Sequence, residues 1–374
     1  MPILSDSAEI TLLTMSPGQS ELYAAFGHSA LRVKDEANRI DGVFNYGIFN
    51  FNQPNFYLNF TKGKLYYKLG IRSYPRTMKI YMGDNRTITE QYFDLTQEQK
   101  QQMFELLANN AKPENASYYY NYCFNNCSTK IRDVLEEVLP GKLAYDFSYA
   151  EDSLSYRGLM DKYLNQQPWG DLGIDLCLGS QIDAHADGRA YTYMPEYLQE
   201  AFDKAKILEG DSARSLVKET KILNTATPMP DASSLFKPIH LFVLVFFLTG
   251  IVIHRSLKYN VNSKMVDAIL FGITGFIGCF LLFLWFGTDH LSKGNFNLIW
   301  CMPLNLVALF ALYKSKWSNY LRYYFLIYGV VLILLIIFRE MMTQELHFAF
   351  IPMVLALAIR SFYLFYIIRL ESEK

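Results

Sequence analysis

The stretch 122–142, YCFNNCSTKIRDVLEEVLPGK, reads as a turn that delivers a cysteine into the first turn of an amphipathic helix. Ile131, Val134, Leu135, Val138 and Leu139 follow the i, i+3, i+4 rule, so the helix has one buried face. Asn126 is a favoured N-cap residue, and Pro140-Gly141 is a stop signal. A thiol placed there, Cys127, meets unsatisfied backbone N–H groups and the positive end of the helix dipole. Both lower its pKa and favour the nucleophilic thiolate. The competing reading is an inert cysteine buried under a helix start. Cys123 lies in the same segment, and geometry alone separates the two sulfurs.

Working back from the helix, a Cys nucleophile needs a base, and His28 is the best placed of the six histidines. His185 lies in a loop-like stretch, and the others fall in or beside strongly apolar sequence. Residues 9–16 read as a first strand and 26–34 as a second, in which His28, Ala30 and Arg32 share one face. Gly27 allows close approach of backbone or substrate. Residues 43–51 form an aromatic third strand, and 54–68 carry further aromatic residues. Asn45, Asp41 and Ser29 are the candidates for orienting the imidazole, and sequence does not choose among them. Residues 73–89 read as a pair of strands around the turn 83–85, 95–111 as a helix capped by Thr96, and 194–208 as a helix.

Beyond residue 236 the character changes. Apolar runs at 239–253, 268–286, 298–312, 323–338 and 348–368 alternate with short polar loops. A bilayer core needs about 20 helical residues, so the second and fifth runs nearly suffice and the others borrow flanking residues. This predicts an α+β domain over 1–230, a linker over 231–238 and an all-α five-helix transmembrane domain over 239–374.

Arg255, Lys258 and Lys264 follow the first run, and Lys314, Lys316 and Arg322 follow the third, whereas the second and fourth loops are poor in cations. By the positive-inside rule the first domain lies outside the cytoplasm, and a signal segment is inferred to have been removed. Arg360 is the one clear intramembrane charge, with either a functional role or a snorkelling position near the interface. Lys+Arg 35 against Asp+Glu 36 leaves no nucleic-acid footprint. The cysteines show no disulfide or zinc spacing, and no cofactor or metal is implied.

GHSALRV early in the chain, followed by NYCFNNCSTKIRD, resembles the circularly permuted papain-like (NlpC-like) thiol fold of lecithin:retinol acyltransferase and its relatives, where His precedes Cys. More specifically, the segments GHSALR, VFNYGIFNF, YNYCFNNCST and TDH...NFNLIWCMPLN make the whole chain similar to the Lnb-type bacterial lipoprotein N-acyltransferases.

The resemblance implies His28 and Cys127 as the catalytic pair and a periplasmic first domain on an inner-membrane protein. It does not establish the third member, for which Asn45 is taken from the three candidates, and the helix start itself makes the backbone N–H groups near Cys127 and Ser128 the expected oxyanion donors. It also implies a phospholipid acyl donor and a diacylated lipoprotein acceptor. Asp289, His290, Asn295, Asn297 and Trp300, with Arg360, become expected substrate-binding residues; without the resemblance they read as a polar loop with an interfacial Trp. Two other readings compete. One is a membrane-anchored cell-wall amidase or peptidase with the same thiol chemistry, and the other a non-catalytic membrane scaffold in which Cys127 and His28 are core residues.

Overall fold

Alternating apolar residues along the first 93 positions build most of an antiparallel sheet. Its strands are β1 (Glu9–Met15), β2 (His28–Asp35), β3 (Ile40–Ile48), β4 (Tyr66–Ser73), β5 (Ile88–Phe93), β6 (Ser117–Tyr119) and, after the two-residue β7 (Leu143–Ala144), β8 (Lys206–Glu209) and β9 (Ser212–Ser215), the edge strand β10 (Val217–Asn224). The order is β10-β5-β1-β2-β3-β4-β6, while β7, β8 and β9 form a separate small sheet. In this computed structural model, residues 1–19, 21–49, 54–151, 153–228, 236–261, 263–312 and 318–373 are described. They divide into two units, Met1–Gln166 with His185–Ala232, and Gln167–Ala184 with Ser233–Lys374.

In the first unit the helices are α1 (Phe56–Thr61), α2 (Tyr74–Gly83), α3 (Gln97–Asn110), α4 (Cys127–Val138), α5 (Tyr156–Leu164), α7 (Gly188–Tyr191) and α8 (Pro195–Lys204). One sheet face, through Ile10, Leu12, Leu31, Val33 and Phe44, packs on Met103 and Leu107 of α3, Ile131 and Leu135 of α4, and Leu198 and Phe202 of α8. Fully burying a Leu or Ile contributes about 1.5–3 kcal/mol each, so this layer dominates the unit's stability. On the other face Leu13, Met15, Ala30, Val43 and Ile88 meet Tyr74, Met78 and Tyr81 of α2.

That helix corrects the expected strand pair over 73–89. Pro75 sits in its first turn, where proline is tolerated, and Met78 and Tyr81 are three apart and reach the sheet together. Two ends also move. β3 stops at Ile48, with 50 and 51 outside the described residues, and α8 stops at Lys204, with 206–209 forming a strand instead. The Thr96 capping box of α3 forms as its sequence indicates.

The second unit consists of α6 (Pro168–Cys177), α9 (Pro238–Tyr259), α10 (Lys264–Gly287), α11 (Leu304–Leu312), α12 (Ser318–Phe338) and α13 (Ile351–Ser372). Among the described residues four helices are long and apolar enough to cross a membrane: Pro238–Tyr259, Lys264–Gly287, Tyr320–Met341 and Phe348–Ser372. Phe247, Phe276, Ile327 and Ile337 are each more than 60% exposed on them, a surface suited to lipid rather than water. Of the third apolar run the described α-helix covers Leu304–Leu312, and 313–317, which follow it, lie outside the described residues. Lys314 and Lys316, and 231–235 of the expected linker, lie outside the described residues.

Segment 167–184, expected in the first domain, belongs to the helical unit. Asn295 Nδ2 donates to the Leu176 carbonyl at 2.7 Å, Asn297 Nδ2 to the Asp175 carbonyl at 2.8 Å, and Gln344 Nε2 to the Leu178 carbonyl at 3.1 Å. Arg360 is fully buried and does not snorkel. Its Nε and Nη2 donate to the two Asp267 carboxylate oxygens at 2.6 and 3.0 Å, tying α13 to α10.

Removing one partner of such a pair strands the other charge, a loss of about 3–5 kcal/mol, whereas replacing both with apolar residues is often neutral. Arg360→Met and Asp267→Leu are each expected to lower the thermal unfolding midpoint in detergent, and the double variant to recover most of the loss. Single variants as stable as the parent protein would show that the pair does not hold these helices.

Candidate active site

The turn before α4 is closed by the Asn121–Asn125 bridge, and Asn126 is the N-cap. Its Oδ1 accepts from the N–H groups of Ser128 and Thr129, both at 3.0 Å, and its Nδ2 donates to the carbonyls of Tyr122 and Tyr193, both at 2.8 Å. Thr129 Oγ1 returns an acceptor to the Asn126 N–H at 2.8 Å. Cys127 is thereby held as the first helical residue. Its own N–H has no partner among the described residues, whereas the Ser128 N–H, an expected oxyanion donor, is occupied by Asn126.

His28 opens β2 opposite Met15, and Asn45 lies on β3 facing the same side of the sheet as Val43. His28 Nε2 meets Asn45 Oδ1 at 2.7 Å. With Nε2–H donating there, Nδ1 is the nitrogen left for the thiol. The other two orienting candidates are engaged elsewhere: Asp41 pairs with Arg32 at 2.7 and 3.0 Å, and Ser29 Oγ lies 3.2 Å from Ser128 Oγ.

Two glycines make room at this end of the sheet. Gly27 has φ +78, and a Cβ there would come within 2.8 Å of the Met15 carbonyl. Gly47 has φ +86 at the bulge between Asn45 and Ile48, with the Tyr120 ring and Cys127 Cβ against it. Alanine at either would incur left-handed strain of about 1–2 kcal/mol.

The electrostatics of the pair are mutual. Burial pushes the Cys127 thiol up, but the His28 charge, its hydrogen bond and the Ser29 N–H outweigh that and leave the thiol below its ordinary value. Burial likewise opposes the His28 imidazolium, yet the Cys127 charge and hydrogen bond, with Asn45, raise it above the ordinary imidazole value. Opposite shifts in contacting partners favour the thiolate–imidazolium form. Cys123 has no such partner, and burial pushes its thiol up to about 12.

Sequence reasoning missed Tyr81, whose ring stacks on His28 at 6.0 Å, because it lay in an expected strand. It also missed Tyr120, half-buried beside Cys127, for which the YYYNY cluster was the available signal. Of the expected substrate-binding residues in the helical unit, Asn295, Asn297 and Trp300 are buried. Asn295 and Asn297 hold 175–176, and Trp300 Nε1 donates to Asn297 Oδ1 at 2.9 Å. Asp289 is exposed and His290 half-buried.

A depressed thiol pKa keeps thiolate present below the pH where free cysteine protonates. Iodoacetamide labelling of Cys127, read by peptide mass spectrometry, should therefore persist into mildly acidic pH while Cys123 stays unlabelled at neutral pH. His28→Ala should move the labelling midpoint upward by more than one pH unit, and Asn45→Ala by less. An unchanged midpoint in His28→Ala would refute the ion pair.

Comparison with family models matches residues 3–161 to the Lnb N-terminal periplasmic domain and residues 230–371 to the Lnb transmembrane domain. No curated protein and no solved structure matches the chain. With both domains matched in order along most of its length, the chain belongs to the Lnb family.

Proposed function

We propose that the protein is a lipoprotein N-acyltransferase that carries an acyl chain on Cys127. The observation that supports this best is the pairing of buried Cys127 with His28, itself hydrogen-bonded to Asn45, in a chain whose described residues include four helices of membrane-spanning length. The Cys127 thiolate attacks an ester carbonyl of a phospholipid, forming the C–S bond while the ester C–O bond breaks. His28 protonates the departing alkoxide, and the lysolipid leaves. The α-amine of a lipoprotein's lipidated N-terminal cysteine then attacks the thioester. His28 takes the amine proton, and the thiolate departs. The unpaired Cys127 N–H is the backbone donor available to the oxyanion. Asn45 acts by keeping the imidazole in one tautomer and orientation.

Acyl chains need an apolar approach. Rings run in series from Tyr120 beside Cys127 to Tyr67 at 4.4 Å, Phe49 at 5.3 Å and Phe56 at 6.4 Å, ending at exposed Tyr57, Leu58 and Phe60. This supports a lipid rather than a peptidoglycan substrate, since a cell-wall peptide is polar and needs no such path. Exposed Asp289, with His290, remains our candidate for contacting a substrate head group or amine.

Incubation of the full-length protein with phospholipid should add one acyl mass to the Cys127 peptide, and a diacylated lipopeptide should discharge it. Cys127→Ala should insert normally and lose N-acylation by at least a thousandfold, as should His28→Ala by at least a hundredfold. Full N-acylation by Cys127→Ala would overturn the mechanism.

A further inference from the structure

Arg86 follows α2 and is a buried cation with no buried anion. It is 5% exposed, its Nη1 donates to the Ser16 carbonyl at 3.1 Å, and its Nε has no partner. No carboxylate lies within salt-bridge distance of it among the described residues, and exposed Asp84 acts on it only from farther away. The guanidinium lies against Gly18, where a Cβ would stand 2.8 Å from Nε and 2.9 Å from Nη2, and 5.7 Å from the centre of the Tyr81 ring. Tyr81 is the ring stacked on His28, so this cation sits one aromatic ring from the imidazole.

Arg72 of β4 stands opposite Val43 in the β3–β4 register, which puts it on the sheet face that carries His28 and Asn45. It too has no carboxylate partner among the described residues. Around it the charge is one-sided. Between Asp41 and Asp84, residues 42–83 contain Lys62, Lys64, Lys68, Arg72, Arg76 and Lys79 but no Asp or Glu, in a chain with 35 cations and 36 anions overall.

Leaving a buried charge uncompensated costs several kcal/mol, and a guanidinium with open donors matches the geometry of a phosphate. We propose that Arg86, together with Arg72, forms a phosphate-binding subsite of the thiol centre that takes the phosphodiester of a phospholipid while its ester carbonyl meets Cys127. This rests on the phospholipid-donor reading above and adds what recognises the donor. The subsite also bears on the chemistry. Arg86 repels the His28 imidazolium, and burial lowers its own pKa, so a bound phosphate relieves both and favours the thiolate–imidazolium pair.

The test uses full-length protein in detergent micelles. Glycerophosphoglycerol should protect Cys127 from iodoacetamide at millimolar concentration, whereas glycerol should not. Arg86→Met should weaken that protection at least tenfold, Arg72→Gln severalfold, and Arg86→Lys less than Arg86→Met. The ratio of Cys127 acylation by phosphatidylglycerol to acylation by a neutral p-nitrophenyl ester should fall at least tenfold in Arg86→Met.

Protection by inorganic phosphate but not by glycerophosphoglycerol would overturn the headgroup assignment. Undiminished protection, or an unchanged acylation ratio in folded Arg86→Met, would overturn the subsite. Should Arg86→Met fail to fold, Arg72→Gln and Arg86→Lys carry the same readings. If the parent protein takes no acyl group from any phospholipid while Arg86-dependent protection persists, the acyl-donor reading fails and the phosphate subsite stands.

Discussion

The side chain of Asn126 is the joint on which the thiol-bearing end of the first unit depends. One carboxamide saturates two orphan N–H groups of α4 and two backbone carbonyls, one of them 67 residues away at Tyr193. A cap that faced only solvent would leave the helix end free to fray. Here the cap ties the helix start to the chain before α8, and Cys127 inherits that rigidity as the first helical residue. A thiol activated by a neighbouring imidazole needs fixed separation, because the Coulombic gain that outweighs burial falls off with distance.

The sheet supplies the other half. Antiparallel pairing of β2 with β3 puts the start of one strand beside the end of the next, so His28 and Asn45 meet although 17 residues separate them. The bulge at Gly47 and the left-handed Gly27 remove side-chain bulk where α4 arrives. Near this centre the charged groups are divided by role. Arg32, Asp41 and Glu90 satisfy one another within the sheet, and Arg86 and Arg72 have no carboxylate within salt-bridge distance among the described residues.

Much of this was legible in the sequence where the controlling signals are local. The helix of Cys127 announces itself through its cap, its apolar spacing and its Pro-Gly stop, and those signals lie within about a dozen residues. The strand face of His28 follows from parity alone. What was not legible has a common cause in contacts remote along the chain. Tyr74 to Met82 is rich in residues that also suit strands, and its helical form is decided by Met78 and Tyr81 docking on Ala30 and Val43. Segment 167–184 looked like part of the first domain because its bonds to Asn295 and Asn297 span more than 110 residues. Arg360 was visible as an intramembrane charge, but Asp267, near the start of α10, was not visible as its partner.

The sequence by itself therefore determined a thiol at a helix start, a histidine on a strand face, and a membrane part set by long apolar runs, because each depends on periodicity or capping among near neighbours. Only the tertiary structure decided that Asn45 rather than Asp41 or Ser29 hydrogen-bonds His28, that Cys127 rather than Cys123 meets it, and that Arg86 has no salt-bridge partner among the described residues. Those outcomes turn on which buried polar groups find partners across the fold. Hydrogen-bond satisfaction of that kind is a property of the packed chain and has no signature in any single stretch of it.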